Sequence, residues 1–60
     1  MEKMYYIVTI KMVGKNEEMR IFGRTRAEEW AENGYECENV YAVEVVNGHT
    51  GEVVYYKSKG

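Results

Sequence analysis

Only one stretch of this 60-residue chain has the periodicity of a helix. In residues 24–34, RTRAEEWAENG, apolar residues recur at spacings of three and four, whereas the segments on both sides alternate apolar and polar residues as strands do. We expect strands at residues 4–12, 19–22, 40–46 and 52–57. The order β-β-α-β-β predicts a single α+β domain over residues 1–60, in which one short helix packs on one face of a four-stranded antiparallel sheet.

The helix has recognisable signals at both ends. Thr25 and Glu28 have the three-residue spacing of a capping box, in which each side chain accepts a hydrogen bond from a backbone N–H group near the helix start. Gly34 stands where a left-handed residue ends many helices. The helix should therefore span about two and a half turns. Because a helix of that length is unstable alone, we expect Trp30, with Ala27 and Ala31 beside it, to dock on the sheet.

Glycines mark the two hairpin connections. Residues 14–17, Gly-Lys-Asn-Glu, have turn chemistry between the first two strands. Residues 47–51, Asn-Gly-His-Thr-Gly, separate the last two strands, and Gly51 suits the left-handed position of a type I turn followed by a G1 bulge. The sequence thus predicts one hairpin on either side of the helix.

A chain of this size has few means of stabilisation. A 60-residue domain buries only about 60% of the surface that its unfolded chain exposes. Cys37 and His49 are the only residues of their types, which excludes an intrachain disulfide and leaves too few ligands for a structural zinc site. We therefore expect no metal and no cofactor, and stability that comes from dense packing or from association.

The helix is too short to cover every apolar side chain of the expected sheet. The face expected beneath it holds Tyr6, Val8, Ile10, Met19, Ile21, Tyr41, Val43, Val45, Val53 and Tyr55. The opposite face is expected to hold Tyr5, Ile7, Phe22, Val40, Ala42, Val46, Val54 and Tyr56. Its polar members are Thr9, Lys11, Arg20 and Glu44.

This second face is too apolar for an antiparallel sheet with one solvated side, which alternates more cleanly. Contiguous apolar surface of this kind indicates an interaction site, either a sheet-on-sheet seam in a homodimer or a platform for another protein. The alternative is that tyrosine and valine occur here for their strand propensity alone.

Charged residues are unevenly distributed, although the net charge is only −2. No Lys or Arg occurs between Ala27 and Tyr56. The acidic candidates for partner binding are Glu28, Glu29, Glu32, Glu36 and Glu38. Such a cluster repels nucleic acid and attracts the basic groove of a protein that binds nucleic acid. The alternative is a solvated helix face whose acids are favoured by the helix dipole.

Direct nucleic-acid binding is the alternative from a different class. Its candidate residues are Lys11, Arg20, Arg24 and Arg26, with Tyr5, Phe22 and Tyr56. Aromatic rings on a sheet face stack against bases in single-strand platforms. Those platforms need a basic surround, however, and this chain is acidic overall.

The chain offers little for catalysis or for membrane insertion. His49 lies far in sequence from Cys37, whereas a nucleophile needs its base within hydrogen-bond reach. A domain this small has no room for the deep pocket that separates the pKa values of paired glutamates. No apolar run approaches a membrane span, and the N-terminal residues lack a basic leader followed by a hydrophobic core. We expect a non-enzymatic, cytoplasmic protein.

The opening strand MYYIVTI, the helix RTRAEEWAENG and the closing hairpin VEVVNGHTGEVVYYK resemble very small proteins encoded by bacteriophages and prophages. The resemblance covers nearly the whole chain and is one of general style. Anti-CRISPR proteins are the best-known members of that class. The resemblance implies a stoichiometric inhibitor that binds a nucleic-acid-handling host protein in the host cytoplasm, and it carries over no functional residue. The sequence therefore predicts a protein-binding module that uses the acidic residues and the apolar strand face.

Overall fold

A computed structural model describes residues 4–60 of the chain. It contains four strands and one helix: β1 (Tyr5–Met12), β2 (Lys15–Phe22), α1 (Arg24–Tyr35), β3 (Val40–Asn47) and β4 (Val53–Ser58). The strands form one antiparallel sheet in the order β2-β1-β3-β4, so that β1 and β3 are central and β2 and β4 are the edges. The predicted α+β fold with the order β-β-α-β-β is confirmed.

The first hairpin is tighter than the sequence predicted. Met12 pairs with Lys15, so Val13 and Gly14 alone make the turn, with Gly14 at a φ of 89°. The prediction of a turn over residues 14–17 was wrong, because β2 begins at Lys15 and runs in regular register with β1 up to Phe22. In the second hairpin Gly51 has a φ of 78°, which confirms its predicted left-handed conformation.

The predicted N-terminal cap of the helix was wrong. α1 begins at Arg24, one residue earlier than Thr25, and the preceding Gly23 has a φ of 95° and makes no side-chain cap. Glu28 bonds the guanidinium of Arg24 at 2.8 Å, so its carboxylate does not serve a capping box. Glycine suits this junction because the backbone turns sharply from β2 into α1 in a conformation that other residues rarely adopt.

The predicted C-terminal cap was also wrong. Gly34 does not have a positive φ, and the helix continues through Tyr35 to a right-handed cap at Glu36. Gly34 serves packing instead, since a Cβ atom there would lie 2.7 Å from Cδ1 of Ile10. The missing side chain lets α1 approach β1 closely. The helix has 12 residues, longer than the predicted two and a half turns.

The core lies between α1 and the two central strands. Val8, Val43 and Val45 are fully buried beneath the small side chains of Ala27 and Ala31. The other buried members of the cluster are Tyr6, Met12 and Val40. Two alanines on the helix face let the helix sit close to the sheet, which compensates for the absence of large buried helix residues.

Two β-bulges explain several errors in the assignment of side chains to faces. Lys11 pairs with Ala42 and Met12 with Val40, so Tyr41 is the extra residue in β3. One extra residue reverses the alternation beyond it. Val40 therefore lies in the core at 3% exposure, not on the opposite face, and Tyr41 is exposed, not buried.

The second bulge lies between β3 and β4. Val45 pairs with Tyr55 and Val46 with Val53, so Val54 is the extra residue. Val54 packs against the core, and Val53 is exposed, which reverses both predictions. Met19 was also predicted in the core and is exposed, because α1 packs mainly on β1 and β3.

Within residues 4–60, no helix combines the length and the apolar character that crossing a bilayer requires.

Candidate binding groove

A groove opens between α1 and β2 on the helix-bearing side of the sheet. α1 starts directly after β2 and then packs mainly on β1 and β3, so it diverges from the edge strand. Apart from Ile21, the β2 residues on this side of the sheet are consequently exposed: Lys15, Glu17 and Met19. Trp30 on the helix and Met19 on the strand line the gap and are 45% and 44% exposed. Trp30 therefore packs on the sheet with only part of its side chain, whereas the sequence predicted that it docks there.

The floor of the groove is apolar. The cavity has a volume of about 270 Å³. Its lining residues are Val8, Ile10, Glu17, Met19, Trp30, Asn33 and Gly34. Engineered cavities of ~150 Å³ lined by aliphatic and aromatic side chains already bind benzene. The groove therefore has room for an apolar side chain supplied from outside the chain.

A second depression continues the groove toward the start of α1. It shares Met19, Trp30 and Asn33 with the first. Its further lining residues are Arg20, Ile21, Phe22, Arg26 and Glu29. The groove therefore carries Glu17 at one end and charges of both signs at the other.

The acidic residues of α1 divide between two sides of the helix. Glu28 is paired with Arg24, in the only ion pair among residues 4–60. The hydrogen bond from this guanidinium to the carboxylate, and then the negative charge itself, raise the pKa of Arg24 above its ordinary value. Glu29 lines the groove, and Glu32 is exposed on the outer side of the helix. The five predicted glutamates are therefore not one uniform stripe.

Glu36 and Glu38 lie in the loop between α1 and β3. The fold brings Lys59, which is distant in sequence, to this loop. Both glutamates are exposed. The ammonium group of Lys59 donates to the carbonyl of Cys37 at 2.8 Å, between them in sequence. The absence of Lys and Arg between Ala27 and Tyr56 predicts a purely acidic loop, but Lys59 places a positive charge beside it.

The sheet face opposite α1 is less exposed than the sequence predicted. Ala42 is buried, and Tyr5, Ile7 and Val46 are half-buried. Thr9 is also buried, between its cross-strand neighbours Glu18 and Glu44. Of the eight apolar residues assigned to this face, only Phe22 and Tyr56 are exposed, at 52% and 55%.

Tyr5 is engaged within the chain. Its hydroxyl donates to the carbonyl of Gly48 at 2.9 Å, and the N–H of Gly48 donates to the carbonyl of Tyr5 at 2.9 Å. The Tyr5 ring also lies 4.8 Å from that of His49 and 6.2 Å from that of Phe22. Because a Cβ at residue 48 would collide with the Tyr5 ring, glycine is required where the last hairpin turn meets β1. Tyr5 thus ties that turn to the sheet.

Cations on the opposite face lie over aromatic rings of the same chain. The guanidinium of Arg20 is 4.9 Å from the centre of the Tyr5 ring, and the ammonium of Lys11 is 5.9 Å from that of Tyr56. Arg24 and Arg26 belong to α1 instead. The structure therefore brings together Lys11 and Arg20 with the three candidate aromatic residues, but not all four cations.

Nucleophilic and metal-binding groups are dispersed over the described residues. Cys37 is exposed in the loop that precedes β3, and His49 lies in the turn at the other end of the sheet. The length of β1 separates them, about 23 Å at 3.3 Å per residue. Among residues 4–60 no three His, Cys, Asp or Glu side chains are grouped as a metal site requires.

Sequence reasoning missed the groove, although a signal for it was present. Met19 and Ile21 were assigned beneath the helix, but the chain has only Trp30 as a large apolar residue on the corresponding helix side. The position of α1 over β1 and β3 decides that β2 remains uncovered, and this depends on strand order.

The chain matches no protein-family model, no curated protein and no solved structure.

Proposed function

We propose that this chain is a non-enzymatic protein-binding module whose contact site is the groove between α1 and β2. The observation that carries the proposal is the exposure of Trp30 and Met19 on opposite walls of a cavity with an apolar floor. Tryptophan is enriched among the residues that dominate binding energy at protein interfaces, where it becomes desolvated on binding.

The occupant that fits the groove is an apolar side chain on a protein with a basic surface. Glu17 and Glu29 line the groove together with Arg20 and Arg26, and the chain as a whole has a net charge of −2. Opposite charges on the partner would steer it toward this side and set its orientation. Proteins that handle nucleic acid have such basic surfaces. The proposed function is therefore inhibition of a nucleic-acid-handling protein, as in the phage-encoded class that the sequence resembles.

The sole tryptophan of the chain gives a direct test. A protein captured from bacterial lysate would be titrated against the purified chain while the fluorescence of Trp30 is recorded. A blue shift is expected, because the ring leaves water on binding. Trp30→Ala removes this fluorophore, so its affinity is compared with that of the wild type by isothermal titration calorimetry. The dissociation constant should rise by roughly 30-fold or more, the effect of losing a residue that contributes about 2 kcal/mol.

Matched variants separate the groove from the rest of the surface. Tyr41→Ala removes an aromatic side chain of similar exposure, in the β3 bulge, and should leave binding unchanged. Glu29→Lys should weaken association more than Glu32→Lys, Glu36→Lys or Glu38→Lys, because only Glu29 of these four lines the groove. Equal binding by the wild type and Trp30→Ala would refute the groove as the site.

Direct nucleic-acid binding remains the second candidate, because Lys11, Arg20, Tyr5, Phe22 and Tyr56 share the face opposite α1. Acidic residues Glu18 and Glu44 are interspersed with them, which opposes phosphate binding. Fluorescence anisotropy with labelled single and double strands distinguishes the two candidates. Binding that weakens steeply with salt would favour this second function.

A further inference from the structure

We infer that β2 is a pairing edge for a second copy of this chain, which forms a two-fold symmetric dimer with one continuous eight-stranded sheet. The inference concerns the outer edge of β2 and is independent of the partner protein proposed above. It rests on three features of this strand: its regularity, the direction of its free backbone groups and the order of its charged side chains.

The two edges of the sheet differ in how well they are protected. β4 has six residues and a bulge at its start, whereas a lysine occurs on both edges, at residue 57 in β4 and at residue 15 in β2. Bulges, short length and lysines are common protections against pairing with another chain. β2 has eight residues in unbroken register with β1, and among residues 4–60 no strand lies beyond it. It is the edge that can accept another strand.

The hydrogen-bond pattern identifies the free backbone groups of β2. Gly23 donates its N–H to the carbonyl of Met4, which marks their pair as hydrogen-bonded. Because such pairs alternate along an antiparallel ladder, odd-numbered residues of β2 direct their backbone groups toward β1. The outward-facing groups belong to Asn16, Glu18, Arg20 and Phe22.

Charge order then selects one register. In a symmetric antiparallel pair the outward-facing residues must oppose one another, so the central pairing is Glu18 with Glu18, Arg20 with Arg20, or Glu18 with Arg20. The first two place like charges directly opposite, which destabilises a sheet. In the third, Glu18 of each chain faces Arg20 of the other, and Met19 meets its own copy at the two-fold axis.

This register also has a consequence for the groove. Met19 is exposed on the helix-bearing side, so pairing at the axis shelters an apolar side chain on both chains. The open side of each groove then faces the other across the axis, and the two grooves become one cleft with a Trp30 on each wall. Each groove is incomplete in the single chain.

The experiment is analytical ultracentrifugation of the full chain without any partner. The wild type should sediment as a concentration-dependent dimer. Glu18→Arg and Arg20→Glu each place like charges in both symmetric pairs and should raise the dimer dissociation constant at least about tenfold. The double variant restores opposite charges with reversed polarity and should recover dimerisation. Glu38→Arg has the same charge change outside the edge and should have no effect.

Backbone pairing has its own test. Glu18→Pro removes one outward-facing N–H without breaking a hydrogen bond to β1, so it should abolish the dimer while circular dichroism shows a folded chain. A chain that stays monomeric at millimolar concentration would overturn the inference. So would a dimer that is insensitive to all edge variants but is weakened by Tyr56→Lys, because that result would place the seam on the sheet face opposite α1. Failure of the double variant to recover would overturn the register.

Discussion

The two edges of the sheet differ in how their side chains are packed, as one row of cross-strand neighbours shows. Met19, Val8, Val45 and Tyr55 are cross-strand neighbours on the face that bears α1. The two central valines are fully buried, but Tyr55 at one end packs against the core whereas Met19 at the other is 44% exposed. Coverage by the helix alone does not explain this difference, because α1 packs mainly on the central strands β1 and β3 and not on either edge.

The difference arises from side chains that fill the space beside the helix. On the β4 side Tyr35, at the end of α1, lies 4.7 Å from the ammonium of Lys57 and 5.0 Å from that of Lys59. The backbone N–H of Lys59 also donates to the carbonyl of Tyr41 at 2.9 Å. On the β2 side no comparable filling occurs within the described residues, and the cavity beside Trp30 remains. The space beside α1 is therefore filled on the β4 side and open on the β2 side.

The largest effect in this comparison is expected for Tyr55→Ala. Truncation of a buried aromatic residue costs about 3–5 kcal/mol, and because Tyr55 is only partly buried we expect the free energy of unfolding to fall by about 2 kcal/mol. Urea denaturation monitored by circular dichroism measures it. Tyr56→Ala is the matched control, since Tyr56 is the next residue, points to the other face and is more exposed. Equal losses for the two variants would contradict the packing role of Tyr55.

A smaller effect is expected for Tyr35→Leu, which keeps apolar bulk but removes the ring beneath two ammonium groups. Exposed cation–π contacts contribute about 0.5 kcal/mol each, so the free energy of unfolding should fall by about 1 kcal/mol. Tyr35→Phe retains the ring and should match the wild type in the same denaturation experiment. If Tyr35→Phe loses as much as Tyr35→Leu, the hydroxyl group and not the ring stabilises this edge.

The contrast between the edges also marks the limit of what sequence patterns reveal. Strand patterns in residues 4–12, 19–22, 40–46 and 52–57, with helical spacing in residues 24–34, were sufficient for the β-β-α-β-β order. Bulges were not visible in these patterns, because an extra residue such as Tyr41 or Val54 has no special chemistry. The residues at and beyond the bulges were therefore assigned to the wrong face of the sheet.

The candidate site was less accessible to sequence analysis than the fold. The sequence indicated surplus apolar surface but assigned it to the face opposite α1, where the side chains of Thr9, Ala42 and Ile7 prove to be largely sheltered. The exposed surplus on the helix side depends on which strands α1 covers and on whether Tyr35 and Tyr55 fill the remaining space. Both depend on tertiary packing, which the spacing of residues along the chain does not predict.

The smallest effect on stability is expected for Met19→Ala, and this prediction distinguishes the edges most sharply. Met19 and Tyr55 occupy equivalent ends of one row, yet Met19 is 44% exposed and borders the open groove, whereas Tyr55 packs against the core. The free energy of unfolding should change by no more than about 0.5 kcal/mol, as for other surface substitutions. It must be measured at low chain concentration, because a dimer paired through β2 would add its own association energy to the apparent stability. A loss that grows with chain concentration would show that Met19 stabilises a contact between chains, whereas a loss as large as that of Tyr55→Ala at every concentration would mean that β2 is packed as tightly as β4.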